Sequence, residues 1–147
     1  MEPDQLAAEA LCRTRISEYH NKIISASLDD LKSKTESIPN LLALLPSPYP
    51  TSLNDRRLAR AYQYILMCWF VTNERICPKE MQLRAAIGIW EGKDVFIQAG
   101  TGTGKTLAAI LNQLLEPLDG VLLIISPLKR LQYTQVCLIL EYSLLLI

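Results

Sequence analysis

The residues Ala99-Gly100-Thr101-Gly102-Thr103-Gly104-Lys105-Thr106 combine the groups that a phosphate-binding loop needs. Glycine at every second position lets the backbone curl so that successive N–H groups point inward at phosphate oxygens. The spacing then lets Lys105 reach the β- and γ-phosphates of a nucleotide, with the Thr106 hydroxyl taking a place on Mg²⁺. A helix opening at the end of the loop adds its positive N-terminal end to the same anion. A plain Gly/Thr turn is the alternative, and Gly-Lys-Thr in register between two apolar runs argues against it. Before the loop, Val95-Phe96-Ile97 reads as a short buried strand; after it, Leu107 to Leu115 reads as a helix.

The elements around the loop follow from periodicity and turn chemistry. From about Asp4 to Leu31 the pattern is helical, with Cys12, Ile16, Tyr19, Ile23 and Ala26 forming one apolar stripe. Packing within the chain is the expected use of that stripe, and a partner protein is the other. His20, the one histidine, sits beside the stripe with no catalytic or metal partner in view, and reads as a solvated or hydrogen-bonded side chain. Pro39, Pro46, Pro48 and Pro50 mark a linker, with Leu41 to Leu45 a brief apolar turn inside it. Ser52 with Asp55 resembles a capping box for a helix running to about Asn73, whose Leu58, Tyr62, Ile65, Leu66, Trp69 and Phe70 have helical spacing. Trp69 and Phe70 read as core, not as a platform for bases. Another helix starts near Pro78 and continues to about Trp90. The turn Glu91-Gly92-Lys93-Asp94 leads to the strand before the loop. Beyond the loop helix, Pro117 to Gly120 is a turn and Val121 to Ile125 a second buried strand.

Strand, helix and strand in that order predict a parallel, right-handed βαβ unit. The expected fold class is thus α/β, a mainly helical N-terminal region ahead of the start of a nucleotide-binding core. The expected division is a helical extension over 1–38, a Pro-rich linker over 39–52 and a partial ATP-binding domain over 53–147.

Composition sets the outer bounds. The chain has 147 residues, room for one ordinary domain or a small one with an extension, and half of them are hydrophobic, enough for a real core. Lys plus Arg and Asp plus Glu balance at 15 each, so any contact with nucleic acid or anionic lipid must come from a local patch. Cys12, Cys68, Cys77 and Cys137 lie far apart with no C-x-x-C pair, which predicts buried thiols in a reducing compartment, hence an intracellular setting. No secretory leader is visible, and no apolar run reaches the ~20 residues that span a bilayer.

Three segments together resemble the superfamily 2, DEAD/DEAH-box helicases, and among them the RecQ-like branch. Ala99 to Thr106 has the form Ala-x-Thr-Gly-x-Gly-Lys-Thr of their motif I. Pro78 to Ile87, followed by Gly92-Lys93-Asp94-Val95, is similar to the stretch they carry ahead of it. Ile125-Ser126-Pro127-Leu128-Lys129-Arg130-Leu131-Gln132 looks like motif Ia. The resemblance covers about Ile76 to Gln135 and implies an incomplete RecA-like core that binds ATP and Mg²⁺. It implies that Gln82 reads adenine, a role a carboxamide suits because it donates and accepts at once. It also implies that Ala99, Gly100, Thr101, Gly102, Thr103 and Gly104 line the phosphates, with Lys105 and Thr106 as the catalytic groups and Thr106 on the metal. Ser126, Pro127, Lys129 and Arg130 would touch a nucleic-acid backbone, DNA in preference to RNA, in a salt-sensitive way. A nuclear setting comes from the resemblance alone.

The chain also departs from the family. Motif II, an apolar strand ending in Asp-Glu-x-His, and the arginine of motif VI are not in the sequence; Val136 to Leu140 ending in Glu141 is a poor imitation of the former. The sequence therefore reads as the N-terminal part of a helicase that stops before motif II. A nucleotide-binding module without turnover and another phosphate-loop enzyme such as a kinase are the competing readings. Unpaired strand edges in such a chain predict marginal stability or aggregation.

Overall fold

The computed structural model describes residues 3–46 and 50–115. Its elements are α1 (Pro3–Ser25), α2 (Leu28–Glu36), α3 (Pro39–Leu44), a 3-10 turn (Pro50–Ser52), α4 (Asp55–Val71), α5 (Glu80–Trp90) and α6 (Lys105–Leu115). The helix expected over Asp4 to Leu31 is two helices. Ser27 breaks it: its hydroxyl accepts from Asp30 N–H at 3.2 Å while its own N–H donates to the Asp30 carboxylate, a reciprocal cap that opens α2. Pro39 takes the favoured first turn of the short α3, so the proline that stops α2 also starts a helix. At the head of α4 the cap is Asn54, whose side chain accepts from Arg57 N–H at 3.0 Å, and not the Ser52–Asp55 pair.

α4 is the central element. It packs against α1, α2, α5 and α6, and its residues 64–69 are buried without interruption, as expected of a helix apolar on nearly all sides. Ile16 and Ile23 of α1, Leu31 of α2, Leu41 of α3, Leu83 of α5 and Leu111 of α6 join it in one hydrophobic cluster. Each such side chain contributes about 1.5–3 kcal/mol by burial. Ile16, Tyr19, Ile23 and Ala26 of the stripe thus pack inside the chain, where Tyr19 stacks on Phe70 with ring centroids 4.0 Å apart. Trp69 is buried in the core as expected.

Both helix ends that lead to the loop are closed by the same device. Asn73 and Gly92 take left-handed backbone after α4 and α5. Beyond them Glu74 N–H bonds to Trp69 O and Lys93 N–H to Gly88 O, the six-to-one closure of a Schellman end. Around the second closure, Arg57 of α4 grips Glu91 with Nε at 2.6 Å and Nη2 at 3.0 Å, and Lys93 adds a further bond to the same carboxylate. Those bonds, with Arg57 the larger cause, hold the Glu91 carboxyl well below its ordinary range, at about 2.

The α/β, parallel βαβ expectation is overturned. Among the described residues there is no strand, and Val95-Phe96-Ile97 has no regular structure. A strand exists through hydrogen bonds to a neighbour, and no such ladder is present among the described residues. The segment lies over α5 instead. Val95 Cγ2 comes within 2.9 Å of where a Cβ on Gly88 would be, so the small residue in α5 is what lets the chain approach. Phe96 is 91% exposed, the reverse of a buried strand. Val121 to Ile125, the second expected strand, lies outside the described residues, and the described fold is mainly helical.

Candidate nucleotide site

The site begins where α5 begins. Lys79 is the N-cap residue and brings no capping oxygen, so the helix caps itself in reverse: Lys79 N–H donates to Gln82 Oε1 at 2.8 Å. That bond turns the carboxamide back over the first turn and aims its nitrogen at the loop. Gln82 Nε2 donates to Gly104 O at 2.9 Å and to Thr103 O at 3.4 Å. The side chain is 3% exposed. A carboxamide nitrogen is a donor, and here it serves two neighbouring loop carbonyls, the nearer being that of Gly104. Gln82 therefore joins the start of α5 to the loop.

Within the loop, Gly102 and Gly104 both have φ of +80°, a conformation that side chains other than glycine enter at a cost. Gly104 has a second reason to lack a side chain: its Cβ would stand 2.5 Å from Gln82 Nε2. The Thr103 hydroxyl donates to Gly100 O at 2.9 Å, and Leu107 N–H donates to Gly104 O at 3.1 Å as α6 opens. Lys105 folds back over the loop, its ammonium donating to Ala99 O at 2.9 Å and Gly100 O at 2.7 Å. An ammonium has three N–H hydrogens, so one remains for a further acceptor. The Lys105 and Thr106 amides open α6 ahead of Leu107, and a helix start of this kind suits an anion.

A cavity of about 300 Å³ lies between this loop and the start of α5, walled by Ile76, Cys77, Lys79, Gln82, Thr103 and Thr106 among others. Its volume is at the lower end for small-molecule sites. Its lining mixes apolar side chains, Ile76, Leu107 and Ile110, with the Cys77 thiol and the loop residues Thr103 and Thr106. Burial pushes the Cys77 thiol up to about 11 and that of Cys68 up to about 12, the latter with Cys77 as a second cause. Both are neutral at physiological pH and so poor nucleophiles.

These groups fit a nucleoside triphosphate. Two left-handed glycines make room for it, a lysine ammonium and helix-opening amides supply donors, and a hydroxyl supplies a hard oxygen. Among the described residues no three His, Cys, Asp or Glu side chains gather into a metal cluster. Mg²⁺ commonly binds through few protein oxygens together with substrate phosphates and water, so such a site needs no cluster of this kind.

The structure brings Gln82, Ala99, Gly100, Thr103, Gly104 and Lys105 into one bonded unit; Thr101 is an exposed turn residue and Gly102 a left-handed corner. Ser126, Pro127, Lys129, Arg130 and Glu141 lie outside the described residues. Sequence reading missed Tyr64 and Asn112, which bind each other beneath the site, the Tyr64 hydroxyl donating to Asn112 Oδ1 at 2.6 Å. The one available signal was Asn112 itself, a polar residue set among Ala108, Ile110, Leu111, Leu114 and Leu115 of the same helix. No described helix is long and apolar enough to cross a membrane.

Residues 79–142 match the family model of the DEAD/DEAH box helicases. The match opens at Lys79, the cap of α5, and contains Gln82 and the whole loop. It spans 64 of the 147 residues, less than half of the chain, and marks that segment as similar to the DEAD/DEAH box helicases. No curated protein and no solved structure matches the chain.

Proposed function

We propose that the chain binds ATP with Mg²⁺ at the loop Ala99 to Thr106, as the nucleotide-holding part of an ATP-dependent, RecQ-like helicase. The observation that carries this reading is the bond from buried Gln82 to the Gly104 carbonyl, because it ties the segment ahead of the loop to the loop itself. In this reading Lys105 and the amides opening α6 hold the β- and γ-phosphates. Thr106 supplies a hydroxyl to Mg²⁺, and Ile76 and Cys77 cover one face of the base. Bound nucleotide supplies the triphosphate whose hydrolysis drives such motors.

Gln82 takes a different part from a plain adenine reader. Its amide nitrogen holds the loop, and one lone pair on Oε1 remains for the N6 amino group of the base. Ser126, Pro127, Lys129 and Arg130 are proposed to grip the phosphates of a DNA strand, a contact independent of sequence and weakened by salt. The test is a titration of the chain with ATP and Mg²⁺, comparing wild type with Lys105→Ala. Lysine-dependent binding supports the reading, and binding indifferent to Lys105 contradicts it.

A further inference from the structure

Three helices meet on one side-chain amide. Tyr64 of α4 donates its hydroxyl to Asn112 Oδ1 of α6 at 2.6 Å, and Asn112 Nδ2 donates to the carbonyl of Ala86 in α5 at 3.1 Å. Tyr64 is fully buried and Asn112 is 9% exposed. Asn112 lies seven residues, two helical turns, beyond Lys105, and Ala86 lies one turn beyond Gln82. α6 is therefore fastened to α5 at two places: at its loop end through Gln82 and Gly104, and in its middle through Asn112 and Ala86.

The two fastenings differ from the apolar packing around them. Leu83, Leu111 and Leu114 resist separation of the helices, but apolar contacts are non-directional and hold the axial position of one helix on another only loosely. A hydrogen bond is directional and fails within about an ångström of displacement. A slide of α6 by one residue, about 1.5 Å, breaks the Asn112 bonds and carries the Gly104 carbonyl away from Gln82.

We infer that Tyr64 and Asn112 are positioning residues for the phosphate loop. They fix the axial position of α6 on α5, and through it the reach of Gln82 to Gly104. Tyr64 precedes the segment that matches the helicase family, so the helical layer before Lys79 takes part in setting the loop. The effect on nucleotide rests on the proposed function; the effect on the loop does not.

The test uses the full chain with Tyr64→Phe, which deletes one oxygen and keeps the ring, and Asn112→Ala as a second variant. Hydrogen exchange is followed without nucleotide at the Leu107 amide, which bonds to Gly104 O, and at amides in the middle of α4. Exchange at Leu107 is expected to quicken about tenfold or more in both variants, with the α4 amides changed far less. In a parallel titration, affinity for ATP with Mg²⁺ is expected to fall about five- to tenfold. Combining Tyr64→Phe with Gln82→Ala is expected to add little to Gln82→Ala alone, since both act through one contact. Equal quickening of Leu107 and α4, or none at Leu107, overturns the inference by reducing the pair to general stability. If wild type binds no ATP the proposed function fails, while the exchange measurement still decides the positioning role.

Discussion

Gln82 Nε2 donates to the carbonyl of Gly104 across 2.9 Å, and a Cβ on Gly104 would stand 2.5 Å from that same nitrogen. The glycine and the carboxamide are fitted to each other. One supplies an acceptor and the absence of a side chain; the other fills the space and caps its own helix through Lys79. A residue ahead of the loop in sequence is thus a structural member of the loop.

Removing the carboxamide should therefore affect phosphate binding before base selection. Gln82→Ala is expected to weaken GTP by about tenfold, the worth of one or two buried hydrogen bonds to the loop, and ATP by somewhat more, because the contact to its N6 amino group is lost as well. Parallel titrations with the two nucleotides check this. A loss confined to ATP would assign Gln82 to the adenine alone and contradict the geometry described above.

Gly104→Ala should be worse. The substitution keeps φ at +80°, at a cost of about 1–2 kcal/mol for a residue with a Cβ, and drives that Cβ into Gln82. Nucleotide affinity is expected to fall further than for Gln82→Ala. Adding Gln82→Ala to Gly104→Ala should restore only part of the loss, because it relieves the collision and leaves the backbone strain. Full restoration would show that the left-handed conformation costs nothing here.

How much of this was legible in the sequence depends on how local each cause is. The loop, α4, α5 and the turn at Gly92 announced themselves through glycine spacing, apolar period and a helix-ending glycine, all set by neighbours in the chain. The break at Ser27 was equally local, a Ser-x-x-Asp cap overshadowed by the apolar stripe that runs through it. Val95 to Ile97 misled because an apolar triplet has strand propensity while a strand needs a partner; here Val95 meets α5 at Gly88 and Phe96 stands exposed. The bonds of Gln82 to Gly104 and of Tyr64 to Asn112 join residues distant in sequence, and no periodicity encodes them.

Acid stability should report on the grip of Arg57 and Lys93 on Glu91. Its carboxyl is lowered from 4.5 to about 2, so the folded state favours the ionised form. The sign follows from linkage: the stabilisation is fully present above the ordinary value and is lost as pH falls from about 4.5 toward about 2. Glu91→Gln is expected to lower the urea midpoint near neutral pH and to flatten its decline across that acid window. Parallel midpoint-against-pH curves for wild type and variant would contradict the assignment. Because the pair is near the surface, added salt should narrow the difference.

The central claim is that Ala99 to Thr106 holds the phosphates of ATP through Lys105. Its most direct test is a calorimetric titration of the full chain with ATP and Mg²⁺, wild type against Lys105→Ala, with folding of both checked by circular dichroism. Removing a charge-assisted contact to phosphate costs about 1.5–3 kcal/mol, so the account predicts saturable binding by wild type and an affinity lower by about 10- to 100-fold in the variant. Equal binding by two folded proteins, or none by wild type, would contradict it.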